Sequence, residues 1–425
     1  MMQTIKYPQK NEWAKLLSRP TFDNSALTET VSAVLNDICK RGDEAIKEYE
    51  LKFDKVQLSN LQVSENEIVE AEKLVSEELK SAITLAKGNI EKFHAAQQHK
   101  LPKIETMPGV ICWQKAVAIE KVGLYVPGGT APLFSTVLML AIPAQIAGCK
   151  EIVLCSPPNR EGKIHPAVLY AAQIAGVTKI YKIGGIQAIG AMAYGTERVP
   201  KVYKIFGPGN QYVTAAKQLV SLHDVAIDMP AGPSEVEVLA DETANPAFVA
   251  ADMLSQAEHG VDSQAILITT NESLANKVVE QINIQVEQLP RADLAKKALE
   301  HSKIIIVKDM VEAIEMTNEY APEHLIISTR NYRDIAEKII NAGSVFLGNY
   351  TPESTGDYAS GTNHTLPTNG HAKAYSGVNL DSFVKKITFQ ELTKEGLQNI
   401  GDTIEIMAEN ELLLAHKNAV KLRRT

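Results

Sequence analysis

The sequence predicts an α/β fold built from two α/β units, with helical segments at both ends of the chain. Between Val122 and Pro230, short β-rich runs (VGLYV, IVLC, KIYKI, VYKIF and VAID) alternate with helical patterns. Such alternation is typical of a parallel sheet with crossover helices. A second series of the same kind runs from the VEVL strand at Val236 to the SVFL strand that ends at Leu347. The 425 residues are about three times the ~150 expected of one domain, which fits this division.

Both flanking segments are predicted to be mainly helical. From Ser25 to about Gln98 the sequence is charged, and apolar residues recur at helical spacing. After Gly377 the pattern becomes helical again, and it ends in the basic residues Lys417, Lys421, Arg423 and Arg424. Cations suit the carboxyl end of a helix. We expect a separate helical tail that docks elsewhere or on a partner.

Composition and charge exclude several functional classes. The chain has 43 Lys and Arg against 51 Asp and Glu, a net charge of −8, which disfavours nucleic acid as a partner. The longest apolar stretch, Thr136 to Gly148, is broken by Pro143 and is shorter than the ~20 residues that span a bilayer. The polar amino-terminal sequence lacks the apolar run of an export signal. We therefore expect a cytoplasmic protein without a membrane partner.

The segment SQAEHG contains a candidate metal site. Gln256 and His259 stand three positions apart near the end of a predicted helix, so both side chains project from one face. Histidine is a common ligand of zinc, whereas a glutamine oxygen is an uncommon one. Capping of the helix end by His259 is the alternative interpretation.

The segment APEH contains a candidate acid/base pair. Pro322 disfavours a helical conformation for Ala321, so Glu323 and His324 are expected on a loop that enters the next strand. An imidazole can act as a general base near neutral pH, and the neighbouring carboxylate can activate water. An exposed pair without a catalytic role is the alternative.

Two further segments contain candidate residues. The stretch from Pro352 to His364 is dense in small and polar residues, and its Asp357 and His364 could supply a metal ligand and a substrate contact. Structural turns closed by Asn, Asp, Ser or Thr side chains would fit the same residues. In the final helix, His416 follows Glu411 by five positions, and an unengaged surface histidine is the alternative there.

Glycine-rich turns follow three of the predicted strands: Tyr125-Val-Pro-Gly-Gly129, Ile183-Gly-Gly-Ile-Gln187 and Phe206-Gly-Pro-Gly-Asn210. Each could bind an anion at the start of the next helix, and plain tight turns are equally compatible. None matches the dinucleotide fingerprint, and the chain has no phosphate-binding G-x-x-x-x-G-K-[ST] motif. Another turn, Ala231-Gly-Pro-Ser234, lies at the junction of the two α/β units, where we expect a cleft.

Several segments resemble, in order, the signature blocks of the histidinol dehydrogenase family. They are YVPGGTAPLFSTVLMLAIPAQIAGC, FGPGNQYV, DMPAGPSE, SQAEHG, APEHL, GDYASGTNHTLPT and AHKNAV. The blocks extend from about Val122 to the carboxyl terminus, and the helical amino-terminal part is also compatible. The resemblance therefore covers nearly the whole chain.

The resemblance implies a zinc-dependent, NAD-linked oxidation of L-histidinol to L-histidine through L-histidinaldehyde, which uses two NAD and forms the last two steps of histidine biosynthesis. By this resemblance, Glu323 and His324 are the catalytic acid/base pair. The implied zinc ligands are Gln256, His259, Asp357 and His416. The implied substrate contacts are those four ligands together with Ser234, His324, His364 and Glu411. The implied NAD contacts are Tyr125, Gln187 and Asn210.

The resemblance also implies two incomplete Rossmann-like domains and a homodimer in which each tail crosses to the other subunit. His416 and Glu411 would then enter the partner's active site. The expected division is an amino-terminal arm at 1–22, a discontinuous α/β domain with the metal and catalytic residues at 23–121 plus 235–378, an inserted domain with the NAD-contacting turns at 122–234, and a helical tail at 379–425.

Two other functions were considered. A cysteine-dependent aldehyde dehydrogenase would need an activated thiolate, for which Cys112, Cys149 and Cys155 are the candidates. The four cysteines form no C-x-x-C pair, and small buried side chains are the simpler interpretation. A regulatory module that binds a metal or a nucleotide without turnover is the non-enzymatic alternative.

Overall fold

The computed structural model describes residues 2–20, 25–98, 101–128, 131–230 and 232–425. Gly129 and Ala231, which belong to two of the turns identified above, lie outside the described residues, as do positions 1, 21 and 22 of the predicted arm. No helix in the described ranges is long and apolar enough to cross a membrane.

The amino-terminal part begins with a strand and continues with helices. Its elements are β1 (Gln3–Lys6), α1 (Trp13–Leu16), α2 (Ser25–Arg41), α3 (Asp43–Tyr49), α4 (Glu65–Leu74) and α5 (Glu77–Ala95). A π-helical turn, Glu50–Asp54, continues α3. The prediction of helices after Ser25 is confirmed.

The next part starts with two strands that were not predicted and then alternates strands and helices as predicted. Its elements are β2 (Ile104–Met107), β3 (Val110–Ala118), β4 (Lys121–Tyr125), α6 (Phe134–Ala147), β5 (Glu151–Ser156), α7 (Pro166–Ile174), β6 (Lys179–Lys182), α8 (Gly185–Tyr194), β7 (Lys204–Phe206), α9 (Gln211–Ser221) and β8 (Ala226–Ile227).

The second α/β series and the tail complete the chain. The series contains β9 (Glu235–Ala240), α10 (Pro246–Ala257), β10 (Gln264–Thr269), α11 (Glu272–Val286), α12 (Ala292–Leu299), β11 (Lys303–Ile306), α13 (Met310–Tyr320), β12 (His324–Ser328), α14 (Tyr332–Ala336), β13 (Ser344–Leu347) and α15 (Glu353–Tyr358). The tail contains β14 (Val384–Leu392), α16 (Lys394–Asn410) and α17 (Leu414–Arg424).

The two α/β units form two parallel sheets with the same internal strand order. One sheet has the order β6-β5-β4-β7-β8, and the other has β1-β11-β10-β9-β12-β13. Apart from the added edge strand β1, each order is 3-2-1-4-5 in chain sequence, which is the Rossmann order without its sixth strand. The predicted α/β class with two incomplete Rossmann-like units is thereby confirmed.

The tail is not helical throughout. β14 pairs antiparallel with β3 from Val384 opposite Ala118 to Leu392 opposite Val110, and β2 completes a three-stranded sheet. The period-two alternation of KKITFQEL suits such a ribbon, and β3 supplies the partner that lets it form. The expected helical tail therefore begins with a strand and is helical from Lys394 onward.

The amino-terminal helices pack against the sheet of β4 to β8. α2 contacts α8 and α9, whereas α4 and α5 contact α7 and α6. Val31 and Ile38 of α2 share one apolar core with Ile189 of α8. These contacts favour grouping the helices with 122–234, although the expected division joined 23–121 to 235–378. The arm instead joins the other sheet, because β1 pairs with β11.

Candidate active site

Three side chains, one just after α10 and two in α15, form a candidate metal centre. His259, Glu353 and Asp357 each offer one ligand atom, and these atoms lie within 4.8 Å of one another. His259 follows the end of α10, and the two acids stand four apart on one face of α15. Glu353 is buried, Asp357 is half-buried and His259 is exposed. Imidazole nitrogen and carboxylate oxygen are ligands that zinc accepts.

Gln256 lies beside this cluster in the last turn of α10 and is buried. If its amide nitrogen faces Glu353, it donates to that carboxylate, and its oxygen accepts from the backbone N–H of Glu235 at 3.0 Å. If its oxygen faces Glu353 instead, two acceptors oppose each other, which is favourable only with a cation between them. The orientation with the oxygen toward Glu353 fits a metal site, whereas the orientation with the nitrogen toward Glu353 fits the protein before it binds an ion.

Glu323 and His324 lie at the amino end of β12 and are buried, with 6% and 4% exposure. The expected loop entry is present, because Ala321 adopts a left-handed conformation with φ 52° and ends α13. Their burial contradicts the alternative of an exposed pair. The backbone N–H of Glu235 donates to Glu323 Oε2 at 2.8 Å and holds that carboxyl group in place.

The hydrogen bonding of His324 selects its tautomer. Its Nδ1 lies 3.1 Å from the backbone carbonyl oxygen of Glu235, which can only accept, so Nδ1 carries the hydrogen. Its Nε2 is buried, has no hydrogen-bond partner among the described residues and lies 3.6 Å from Asp357 Oδ1. The neutral ring therefore presents a free basic nitrogen toward the candidate metal centre.

The cluster has more acidic than basic groups. Burial lowers the pKa of His324, but Glu323, Glu353 and Asp357 outweigh this effect and raise it to about 10. Burial raises the pKa of Glu323 to about 8, and it raises that of Glu353 to about 8. Burial acts in the same direction on Asp357, yet the neighbouring His324 outweighs it and lowers that pKa. These carboxylates alone favour the protonated form of His324, whereas a bound cation would stabilise their ionised form and favour the neutral ring with its basic Nε2.

Two further histidines are held in the neutral form that suits metal binding or hydrogen bonding. Desolvation lowers the pKa of His259, although the residue is exposed in part, and it lowers the pKa of His364. His364 Nδ1 donates to the backbone carbonyl of Asp357 at 2.9 Å, and its Nε2 accepts from the Thr136 hydroxyl at 3.0 Å. His364 thereby links α15 to α6, and both of its ring nitrogens are engaged within the chain.

The structure leaves three of the expected substrate or metal residues outside this cluster. His416 lies in α17, which packs against α16, and both His416 and Glu411 are exposed rather than joined to the cluster of the same chain. Ser234 directly precedes β9, and its backbone carbonyl accepts from the N–H of Gln264 at 3.1 Å.

Sequence reasoning missed Glu353. The acid lies in the same Pro352–His364 stretch as Asp357, and the spacing of four residues would place both carboxylates on one face if the stretch were helical. The density of small and polar residues predicted a loop instead. Because α15 is only six residues long, the helical signal was weak.

The expected NAD contacts line one cleft of about 1400 Å³. All three line it: Tyr125 is the last residue of β4, whereas Gln187 and Asn210 lie in the segments that follow β6 and β7. The cleft thus lies at the carboxyl ends of a parallel sheet, where open α/β sheets bind ligands. The candidate metal centre lies instead at the amino ends of β9 and β12 in the other sheet.

Two glycine-rich turns use their helix-starting N–H groups within the chain. At the start of α8, Gly184 N–H donates to Glu50 at 2.9 Å and Gly185 N–H donates to the Tyr125 hydroxyl at 3.1 Å. At the start of α9, the Asn210 side chain accepts from two backbone N–H groups. For these turns, the interpretation as tight turns fits better than that of open anion sites.

The cysteines do not supply an activated thiolate. Burial raises the pKa of the Cys155 thiol far above its usual range, and it raises that of Cys149 to about 12. Cys112 lies in β3, paired with β14, away from the cluster of His259 and Asp357. A thiol must ionise to act as a nucleophile, so these environments disfavour the cysteine-dependent mechanism.

Comparison with known proteins identifies the family. A family model described as histidinol dehydrogenase matches residues 17–424. The chain is 69% identical over 423 residues to the histidinol dehydrogenase of Bacteroides thetaiotaomicron, with 100% of this chain and 99% of the relative covered. It is 54% identical over 412 residues to that of Escherichia coli K12, with 96% and 94% covered.

Solved structures agree with this result. The crystal structure of histidinol dehydrogenase from Elizabethkingia anophelis matches with a TM-score of 0.97 at 57% identity and covers 99% of this chain and 98% of that one. An acetylating aldehyde dehydrogenase from Geobacillus thermoglucosidasius shares the fold with a TM-score of 0.50 at 17% identity, covering 89% and 94% of the two chains. The chain belongs to the histidinol dehydrogenase family and is an oxidoreductase.

Proposed function

We propose that this enzyme oxidises L-histidinol to L-histidine through L-histidinaldehyde in a zinc-dependent reaction that reduces two NAD. The oxidation of histidinol in histidine biosynthesis follows from the family. The observation that carries the finer proposal is the free Nε2 of His324, buried beside Glu323 and 3.6 Å from Asp357 of the candidate metal centre.

Zinc would be held by Gln256, His259 and Asp357, with His416 from a second subunit as the fourth ligand. The donor set fits the metal, since ligand atoms of His259 and Asp357 already converge together with that of Glu353, and the Gln256 oxygen can face them. When bound, zinc supplies a positive charge that can fix the nitrogens of the amino alcohol and orient its carbinol carbon. Glu353 is a further carboxylate within reach of the same position.

In the first oxidation, His324 Nε2 accepts the hydroxyl proton while the carbinol carbon loses a hydride to the first NAD. The products are the aldehyde, NADH and a proton. The bond from His324 Nδ1 to the Glu235 carbonyl keeps Nε2 free to act as the base. An imidazole positioned in this way contributes about 10²–10⁴-fold to such proton transfers.

In the second oxidation, Glu323 assists a water molecule to add to the aldehyde carbon. The hydrate loses a hydride to the second NAD and one hydroxyl proton to the base, and the carboxylic acid formed in this way releases a second proton to give the carboxylate of histidine. Glu323 and His324 are adjacent on β12, with Glu323 Oε2 3.6 Å from His324 Nδ1. Both steps can therefore take place without release of the reactive aldehyde.

NAD would occupy the cleft lined by Tyr125, Gln187 and Asn210. The Tyr125 hydroxyl is fixed by Gly185 N–H, and the Gln187 amide donates to Glu50 Oε1 at 3.2 Å. These contacts hold the cleft wall rigid before a cofactor enters, which reduces the ordering cost of binding. Ser234, His364 and Glu411 are the proposed further substrate contacts.

A homodimer with exchanged tails would complete the site. The tail exposes a run of large apolar side chains between α16 and α17, with Leu412 at 85% and Leu414 at 62% exposure. A contiguous apolar surface of this kind is typical of an association site. His416 and Glu411 flank this run, so docking of the tail on a second subunit would bring both into its active site. The cytoplasmic location stays a prediction.

The yield of NADH per histidinol tests the proposed reaction. We expect two NADH for each histidinol consumed, measured by absorbance against quantified histidine. A yield of one, with aldehyde accumulating, would restrict the enzyme to alcohol oxidation, and a yield of zero would refute the proposal. Alkylation of the cysteines serves as a control, because the cysteine-dependent alternative predicts loss of the second NADH and our proposal predicts no change.

A further inference from the structure

Arg19, from the amino-terminal arm, forms a buried ion pair with Glu235 at the start of β9. Its Nε donates to Glu235 Oε1 at 2.9 Å, and its Nη2 donates to Oε2 at 2.9 Å. The side chains are 12% and 1% exposed. The guanidinium also stacks on the ring of Tyr320 at 3.9 Å and donates to the Tyr320 carbonyl at 2.6 Å. Such a planar, bidentate contact fixes both the position and the orientation of the Glu235 carboxylate.

Glu235 contacts both members of the acid/base pair through its main chain. Its N–H donates to Glu323 Oε2 at 2.8 Å, and its carbonyl accepts from His324 Nδ1 at 3.1 Å. Its carboxylate receives a further hydrogen bond from the N–H of Asn369 at 2.7 Å. One residue therefore orients the carboxyl of Glu323 and sets the tautomer of His324, while its own side chain is fixed by Arg19.

We propose that Arg19 is a positioning residue for the oxidation, acting through Glu235 on Glu323 and His324. This inference rests on the proposed function of that pair. Removing Arg19 leaves the buried Glu235 carboxylate without its counter-charge, a state that proteins relieve by protonation or movement. Because Glu235 is the first residue of β9, movement there shifts its N–H and carbonyl relative to β12 and misaligns both catalytic groups.

Contacts other than those of Arg19 hold the amino-terminal arm in place. A role of Arg19 in positioning Glu235 can therefore be tested apart from a role in attaching the arm. β1 pairs with β11 over its whole length, from Gln3 opposite Lys303 to Lys6 opposite Ile306. Trp13 and Leu17 are buried in the apolar core that includes Ile305 and Tyr320. Loss of the Arg19 side chain therefore leaves the arm packed, and its effect should appear in the chemistry rather than in folding.

The test compares Arg19→Met and Arg19→Lys in the zinc-loaded full-length enzyme. We expect Arg19→Met to lower kcat about 10- to 100-fold for both histidinol and histidinaldehyde, as for other groups that orient a catalytic residue. The KM for NAD should stay within about twofold, since the cofactor cleft belongs to the other sheet. Arg19→Lys should recover part of the loss, because it keeps the charge without the planar fork.

A kinetic isotope effect with carbinol-deuterated histidinol distinguishes positioning from a structural role. If misalignment slows the chemical step, the isotope effect on kcat should rise in Arg19→Met. Lys10→Met is the matched control, because Lys10 belongs to the same arm but pairs with Glu315 at the surface, with 73% and 51% exposure. It should leave kcat and the isotope effect unchanged.

The proposal is overturned if Arg19→Met keeps kcat within twofold of wild type. It is also overturned if the fall in kcat disappears once activity is divided by the concentration of folded enzyme. Should Arg19→Met fail to fold, Glu235→Gln supplies the same test, with a fall in kcat expected and wild-type kcat contradicting the proposal. Failure of the proposed function would look different, because the wild-type enzyme itself would then produce no NADH from histidinol.

Discussion

The imidazole of His324 donates through Nδ1 to the backbone carbonyl of Glu235 at 3.1 Å, which leaves Nε2 as the only basic ring nitrogen. That nitrogen is buried, lies 3.6 Å from Asp357 Oδ1 and finds no hydrogen-bond partner in the part of the chain that the structure describes. The acceptor of this hydrogen bond is a main-chain carbonyl, so its position depends on the backbone and not on the side chain of Glu235. β9 and β12 are aligned so that His324 pairs with Val236, and this alignment fixes the tautomer of His324.

Replacing His324 with Asn should abolish alcohol oxidation. The Asn amide nitrogen can occupy the position of Nδ1 and keep the hydrogen bond to Glu235, but it offers no base at the position of Nε2. We expect kcat for histidinol to fall about 10²–10⁴-fold, with the KM for NAD little changed. Steady-state kinetics with each substrate measures this, and near-wild-type turnover of histidinol would rule out His324 as the base.

Replacing Glu323 with Gln should affect aldehyde oxidation more than alcohol oxidation. The amide keeps the shape of the side chain and can still accept from Glu235 N–H, but it cannot take a proton from water. We expect histidinaldehyde to accumulate during histidinol turnover, as detected by trapping with a hydrazine reagent. Equal loss in both steps would contradict a role confined to water activation.

Replacing Gly207 with Ala should weaken binding of NAD. Gly207 has φ +125°, and a Cβ there would overlap the backbone carbonyl oxygen of Tyr125, whose ring lines the cofactor cleft. We expect the KM for NAD to rise several-fold and stability to fall by about 1–3 kcal/mol. Gly88→Ala is the control, since Gly88 lies in α5 with open space around it and alanine favours helices. An unchanged KM for NAD in Gly207→Ala would argue against this site for the cofactor.

Replacing Glu237 with Gln should change how stability depends on pH. Glu237 is fully buried in β9, and burial raises its pKa to about 8. Because the folded pKa lies above the unfolded value of about 4.3, the stabilising contribution of the protonated form is complete below that value and is lost as pH rises through about 8. Relative to wild type, Glu237→Gln should therefore gain stability between pH 5 and pH 8.5, by on the order of a few kcal/mol.

Thermal unfolding of both proteins across this pH range measures the difference. Glu242→Gln is the control, because its side chain is 57% exposed and should show no such trend. A difference between Glu237→Gln and wild type that stays constant with pH would show that Glu237 ionises normally in the folded protein.

The sequence alone predicts the two parallel sheets well, because each β-rich run is bounded by turns and followed by a helical pattern. β14 was not predicted, because an exposed strand of this kind forms only when it pairs with a partner strand. Its partner, β3, is distant in sequence. The common 3-2-1-4-5 order was also hidden, since no sequence repeat accompanies it. Strand order depends on which strands pair, and local patterns do not specify this.

In the candidate site, too, some residues could be found from the sequence and others could not. α10 and α15 lie side by side, so His259 and Asp357 come together with Glu353, and Gln256 lies beside Glu353. The assignment of Gln256, His259 and Asp357 as zinc ligands stays a prediction. Glu353 and Arg19 could not be found from spacing, since one lies in a very short helix and the other acts across 216 positions of sequence. In the proposed dimer, His416 would reach the site from a second subunit.

Anomalous diffraction at the zinc edge, on crystals grown with histidinol, tests the metal centre most directly. The account predicts one peak about 2.0–2.2 Å from ligand atoms of His259 and Asp357, with Gln256 and the His416 of a neighbouring subunit completing the shell. A peak elsewhere in the chain, or full activity in protein whose crystals show no zinc at this position, would contradict it.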